Sequence, residues 1–172
     1  NGALAVKVDF TPDTAAVKSL ARIGLTFRVK DTFGKVEYNG RGDIETYNDR
    51  KEAGLIGHYK TTAEAMFHYY VKPQATGNRT DVRWMSLSDT RNRLMVAAKT
   101  PFQFSVTPFS DSVIDRATHI NQLSRDGLLT VHLDANQSGV GTATCGPGVA
   151  EKYRVPVKPT SFEFVLYPAM TK

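Results

Sequence analysis

The sequence predicts an all-β protein, an antiparallel β-sandwich with one substantial α-helix. Apolar and polar residues alternate at period two through most of the chain, and turn residues recur at short intervals between those runs. Only one stretch has helical spacing. At 172 residues, with 41% hydrophobic and 23% charged, the chain can bury one real core but not two large ones. Residues 1–172 therefore read as a single domain.

In LAVKVDF, Leu4, Val6, Val8 and Phe10 share a face opposite Lys7 and Asp9. In RIGLTFRVK, Ile23, Leu25, Phe27 and Val29 alternate with Gly24, Thr26 and Arg28. AMFHYYV and TDVRWMSL read as strands from their aromatic and branched content, and RLMVAA as a more central, apolar strand. PFQFSVT groups Phe102, Phe104 and Val106; GLLTVHLD groups Leu129, Val131 and Leu133; SFEFVLY groups Phe162, Phe164 and Leu166. The expected core includes Trp84, Phe102, Phe104, Leu129, Val131, Leu133, Phe162 and Phe164. The helix is expected near residues 111–124 of SDSVIDRATHINQL, on a face of Val113, Ala117, Ile120 and Leu123. Ser110 would be its N-cap, and Asp111 and Asp115 lie in its first turns, where the dipole favours them. Charge and Gly, Asn and Asp gather in loops at 39–50, 74–81 and 134–149.

Several function classes are disfavoured. The net charge is +5, but the basic residues are scattered singly among acids, not clustered as a nucleic-acid footprint. No apolar run approaches the roughly 20 residues of a membrane span. The start NGALAVKVDF lacks a signal-peptide pattern and enters a strand almost at once, as expected of a segment cut from a larger protein. A single cysteine excludes an internal disulfide. His58, His68, His119 and His132 show no i, i+4 metal spacing, and His132 on its strand reads as an ordinary hydrogen-bonded histidine. The acids Glu45, Asp49, Asp81 and Asp89 could face one another as a carboxylate pair, although loop acids are mostly turn formers and ion-pair partners.

The stretch HLDANQSGVGTATCGPGV, residues 132–149, is the unusual one: glycine-rich, holding the only cysteine, directly after an apolar strand. GVGTATCG lacks the Lys-Ser/Thr end of a phosphate-binding loop and the spacing of a dinucleotide fingerprint. Nothing in the sequence supplies Cys145 with a base to activate it.

Several segments resemble, in order, the C-terminal sandwich domain of glycoside hydrolase family 2 β-galactosidases, the small-chain region. ARIGLTFRV is similar to that family's A-R-I-G-L strand, and VEYNGRGDIETYNDRKEAGLIGHY to its W-x-G-x-G-P-x-E-N-Y-P-D-R-K segment. YVKPQATGNRTDVRWMSLSD resembles Y-V-x-P-Q-E-x-G-N-R-T-D-V-R-W, and FQFSVTPFSDSVIDRATHINQL the family's strand and helix that follow. TVHLDANQSGVGTATCGPGV resembles the L-N-L-D-x-x-Q-x-G-V-G loop. The resemblance runs from about residue 4 to 168, and the Asn78–Trp84 run and the last loop are its specific parts. There are departures: Tyr38 replaces a tryptophan, Asp43 and Asn48 replace two prolines, and Ala75 replaces a glutamate. The last loop is one residue shorter, with Cys145 where some members carry a tryptophan lining the galactose pocket.

The resemblance implies a galactose mutarotase-like supersandwich, a C-terminal fragment of a larger multidomain β-galactosidase. That family hydrolyses terminal non-reducing β-D-galactose with retention, using two glutamates on a (β/α)₈ barrel outside this region. It implies a chain with no catalytic residue, no metal ligand and no cofactor, inactive alone, while the parent enzyme uses magnesium or sodium. The loop would extend over the active-site mouth, where Asn136, Thr142, Thr144 and Cys145 could form a small, weakly polar wall. Implied partners are the catalytic barrel and other domains of the same polypeptide, and β-galactoside through the parent, a homo-oligomer of the bacterial cytoplasm or periplasm. Nucleic acid and membrane are not among them. Two alternatives stay open: a structural domain of another family 2 enzyme, and a stand-alone carbohydrate-binding module with Tyr47, Tyr59, Tyr69, Tyr70 and Trp84 as platform candidates.

Overall fold

A computed structural model describes residues 2–13, 17–141 and 146–171. Eight antiparallel strands dominate: β1 (Leu4–Phe10), β2 (Arg22–Lys30), β3 (Lys35–Arg41), β4 (Ile56–Thr62), β5 (Arg79–Ser88), β6 (Asn92–Thr107), β7 (Leu128–Gln137) and β8 (Thr160–Met170). The main path runs β1-β8-β6-β5-β3-β4, and a branch adds β7 to β6 and β2 to β7. This open antiparallel arrangement agrees with the predicted all-β sandwich.

The branch exists because β6 is long enough to serve two sets of neighbours. Its first half, from Asn92 to Ala97, pairs with β8, and its second half, from Gln103 to Thr107, pairs with β7. Between them the β5 register jumps: Ala97 faces Trp84, but Phe102 faces Val82. Pro101 lies in this unpaired stretch, where a residue without an N–H leaves no ladder bond unmade.

One core joins both parts. Val36, Tyr38, Val82, Met85, Leu87 and Val96 pack with Phe102, Phe104, Val106, Leu129, Val131, Leu133 and Phe164. Tyr38 meets Phe104 edge-on at 5.2 Å between ring centroids, and Phe102 meets Phe164 at 5.3 Å. Of the expected core, Phe102, Phe104, Leu129, Val131, Leu133 and Phe164 are buried and Phe162 packs partly against them. Trp84 is the exception: it is half-buried on the opposite face of β5, edge-on to His58 at 5.3 Å. The β5 register shift between Val82 and Trp84 puts Val82 and Met85, an odd number of residues apart, on the same side.

Two local expectations change. AMFHYYV is not a strand: the Thr62 hydroxyl accepts the Ala65 N–H at 3.1 Å and caps a short helix, α1 (Ala63–Met66), after which the chain runs without a ladder to β5. The helix expected over 111–124 is shorter, α2 (Asp111–Arg116), followed by a separate 3₁₀ turn, Ile120–Gln122. The break is an extended Ala117, after which the Gln122 side chain accepts the N–H groups of Thr118 (2.7 Å) and His119 (3.3 Å). This second capping arrangement starts a new turn instead of continuing the old one. Ile120 is 41% exposed as a result, while Leu123 packs on a small cluster of Phe67, Phe109 and Ile114. No helix among the described residues is long and apolar enough to cross a membrane.

Candidate functional site

The glycine-rich stretch leaves β7 on an anchored base. Alternation sends Val131 and Leu133 into the core and turns Thr130, His132 and Asp134 to the other face of the strand. Just beyond them, the Asn136 carboxamide oxygen accepts from Asn48 Nδ2 at 3.1 Å, and the same Asn48 nitrogen donates to the Gln137 carbonyl at 2.6 Å. Asn48 Oδ1 in turn accepts from Gln103 (3.1 Å), whose oxygen accepts from Asn78 (2.8 Å). This row of carboxamides crosses from one loop to another, with Asn48 and Gln103 in the middle each serving as donor and acceptor.

Asp49 closes the base from the side. Its carboxylate accepts the N–H groups of Val140 (3.0 Å) and Gly141 (2.7 Å). Ser138 and Gly139 donate to the carbonyls of Ala21 and Tyr153 at 2.8 and 3.0 Å. Gly139 must lack a side chain, because a Cβ there would collide with the Asp49 carboxylate. Gly141 has φ +61°, and its backbone lies against Val149, so the two legs of the loop meet there. Thr142, Thr144 and Cys145 lie outside the described residues. Of the predicted pocket residues, the structure thus places Asn136, at the foot of the loop and engaged by Asn48.

The loop that supplies Asn48 and Asp49 is organised by Glu45. Its carboxylate accepts from Thr76 Oγ1 (2.8 Å), the Gly77 N–H (2.9 Å) and Tyr47 (3.2 Å), and also from Tyr70 and Arg50. Burial alone would raise its pKa; the bonds from Tyr70, Gly77, Thr76 and Arg50 outweigh this and bring it down to about 2. Burial, and then the charge of Glu45, push the Tyr47 phenol well above its usual range.

The other loop acids are also committed. Asp81 holds Arg41 at 2.5 Å and Lys51 at 3.2 Å, and Asp89 caps the N–H groups of Arg91 (2.7 Å) and Asn92 (2.6 Å). They act as turn formers and ion-pair partners, not as a facing catalytic pair.

Sequence reasoning missed Arg79. It is 3% exposed, and its guanidinium donates to Tyr38 Oη (2.9 Å) and to the carbonyls of Gly77 (3.0 Å), Asn78 (3.2 Å) and Asp43 (2.9 Å). Tyr38 passes the contact on by donating to the Gly42 carbonyl. The signal was present, since Arg79 lies inside the specific Asn78–Trp84 run.

The aromatic platform candidates do not gather on one exposed face. Tyr47 is buried, and Tyr59 stacks on Tyr38 at 5.4 Å. Tyr69 and Tyr70 are bound through their hydroxyls to Glu64 and Glu45, and Trp84 is half-buried on β5 beside His58. His132 is the hydrogen-bonded histidine expected: Nδ1 lies 3.0 Å from Thr26 Oγ1 and Nε2 3.0 Å from Asp111 Oδ1. Burial and then the nearby Arg22 charge lower its pKa, against the pull of Asp111.

The family described as "Beta galactosidase small chain" matches residues 1–166. The β-galactosidase of Staphylococcus xylosus is 30% identical over 166 residues, covering 96% of this chain and 17% of that protein. The β-galactosidase of Actinobacillus pleuropneumoniae is 31% identical over 79% of this chain and 13% of its own length. That of Kluyveromyces lactis is 33% identical over 84% of this chain and 14% of its own length. The chain thus spans under a fifth of each of these relatives and matches a domain of larger polypeptides. The chain belongs to the β-galactosidase small chain family.

Proposed function

We propose that this chain is a non-catalytic domain of a retaining β-galactosidase, acting on terminal non-reducing β-D-galactose. It packs against the catalytic barrel of the same polypeptide and carries the loop that borders the active-site mouth. The two catalytic glutamates, and the magnesium or sodium ion of the parent enzyme, belong to other segments, and the parent is a homo-oligomer. The observation that carries this reading is the anchored loop base. A glycine-rich segment held at Asn136, Val140 and Gly141 by Asn48 and Asp49 can present a short stretch to a neighbouring surface in fixed orientation. In that reading Asn136, Thr142, Thr144 and Cys145 form a small, weakly polar wall of the galactose pocket.

The test is kinetic, on the full polypeptide that contains this chain. Cys145→Trp is expected to change KM for a chromogenic galactoside several-fold while leaving the melting temperature within about a degree. Unchanged KM and kcat would assign the loop to filling a domain interface. The purified chain alone is expected to show no turnover. Activity that survives purification and vanishes on mutating one of its own acids would overturn the non-catalytic role.

A further inference from the structure

A cleft of about 480 Å³ opens on the side of β6 and β7 that faces away from the core. Ser105 and His132, direct cross-strand partners, lie on its floor, each 5% exposed. Helix α2 forms one wall with Asp111 and Ile114, and residues 72–76 form the other. Asp111 is held in place by His132, and Arg22, at the rim, is fixed by Asp134, with Nε 3.1 Å from Oδ1. The polar groups of the cleft are therefore positioned before anything enters.

Three features define what fits. The lining charges oppose one another, Arg22 and Lys72 against Asp111 and Asp115, so neither sign dominates. Ser105 is 5% exposed, and its hydroxyl makes no hydrogen bond among the described residues, which leaves it free to bond what enters the cleft. Beside these polar groups, Pro73 and Ala75 on one wall and Ile114 on the other are apolar. A pyranose has the complementary character, with C–H groups on its face and hydroxyls around its edge. The volume is in the range of small-molecule sites, roughly 300–1,000 Å³.

The geometry points to a binding site for a neutral monosaccharide in this cleft. The ring lies against Pro73, Ala75 and Ile114, and its hydroxyls bond Ser105, Asp111 and Arg22. This goes beyond the proposed function and does not depend on where the loop at 136–149 reaches, because the cleft is built from this chain alone.

The experiment is calorimetric titration of the 172-residue chain with D-galactose and D-glucose, with D-galacturonate and D-galactosamine as charged counterparts. Ala75→Phe fills the cleft from an exposed position outside the core, and Ser105→Ala removes the unpartnered hydroxyl. The expected result is saturable millimolar binding of a neutral sugar, with the charged counterparts no tighter. Ala75→Phe should weaken binding at least about tenfold with an unchanged melting temperature, and Ser105→Ala should weaken it less. Backbone amide shifts on titration should centre on Ser105, Asp111 and His132. The proposal is overturned by no saturation up to about 100 mM of either neutral sugar, a concentration well beyond millimolar binding. Equal affinity in Ala75→Phe, or a charged counterpart binding about tenfold tighter, would also overturn it.

Discussion

Asp49 and Gly139 come together so closely that the absent side chain of one makes room for the carboxylate of the other. The contact lets Asp49 take the next two backbone N–H groups, those of Val140 and Gly141. One loop thereby fixes the departure angle of another that is 90 residues further along the chain.

Asp49→Ala is expected to cost about 1–3 kcal/mol, the scale of two charge-assisted bonds lost at a partly exposed site. Urea unfolding of the chain checks this, and limited proteolysis should show earlier cleavage near Gly141. A midpoint and cleavage pattern identical to wild type would show that the loop base is held without Asp49.

Removing Arg79 should cost more than its single charge suggests. It takes a donor from the Tyr38 hydroxyl and from the carbonyls of Gly77, Asn78 and Asp43, of which Asn78 keeps only the Thr46 N–H, so Arg79→Met is expected to destabilise by at least about 3 kcal/mol. Arg79→Lys should recover little, because one ammonium cannot reproduce the guanidinium fork. A lysine variant within about 1 kcal/mol of wild type, the typical scale of one net hydrogen bond, would contradict this account.

Phe104 is fully buried, with Tyr38 against its ring. Phe104→Ala should lose about 3–5 kcal/mol by equilibrium unfolding. A loss under about 1 kcal/mol would place Phe104 outside the core.

Glu45 gives the fold an acid-sensitive point. Its folded-state pKa of about 2 lies below its usual value of 4.5, so the stabilisation is complete above the usual value. It is lost as pH falls from about 4.5 through about 2, and amounts to roughly 3 kcal/mol. Asp134 opposes part of this, since burial raises its carboxyl and its protonation favours the fold as pH falls. Unfolding curves at about pH 5 and about pH 2.5 should show a drop in wild type that is smaller in Glu45→Gln, the remainder coming from Asp81, Glu37 and Glu64, whose carboxyls also lie below their usual range. Parallel pH dependence in the two proteins would rule out Glu45 as the source.

The loop residues show where reading the sequence succeeds and where it stops. Turn composition marked Glu45, Asn48 and Asp49 as loop formers, and glycine content marked 132–149 as irregular. That Asn48 reaches Asn136 and Asp49 reaches Gly141 was not legible, because these bonds join loops on separate strands and have no local signature. The buried Arg79 is a similar case: its partners lie on β3, at Tyr38, on the loop after it, at Asp43, and beside Arg79 itself, at Gly77 and Asn78.

What the sequence by itself determined is most of the strands, β1, β2 and β5 to β8 but not β3 or β4, and the side of each that is apolar, because alternation is a property of consecutive residues. It also carried the family resemblance. What only the tertiary structure decided is which apolar side is covered, and where a local pattern ends. Trp84 follows the alternation of its segment but lies outside the core, because a register shift on β5 changes the phase that period-two counting assumes. The expected 111–124 helix ends at Arg116 because Thr118, His119 and Gln122 form a competing cap, and Leu123 reaches its apolar cluster by way of a separate turn. In both places a local preference gave way because burying side chains against distant strands and satisfying backbone groups stabilise more than one regular period.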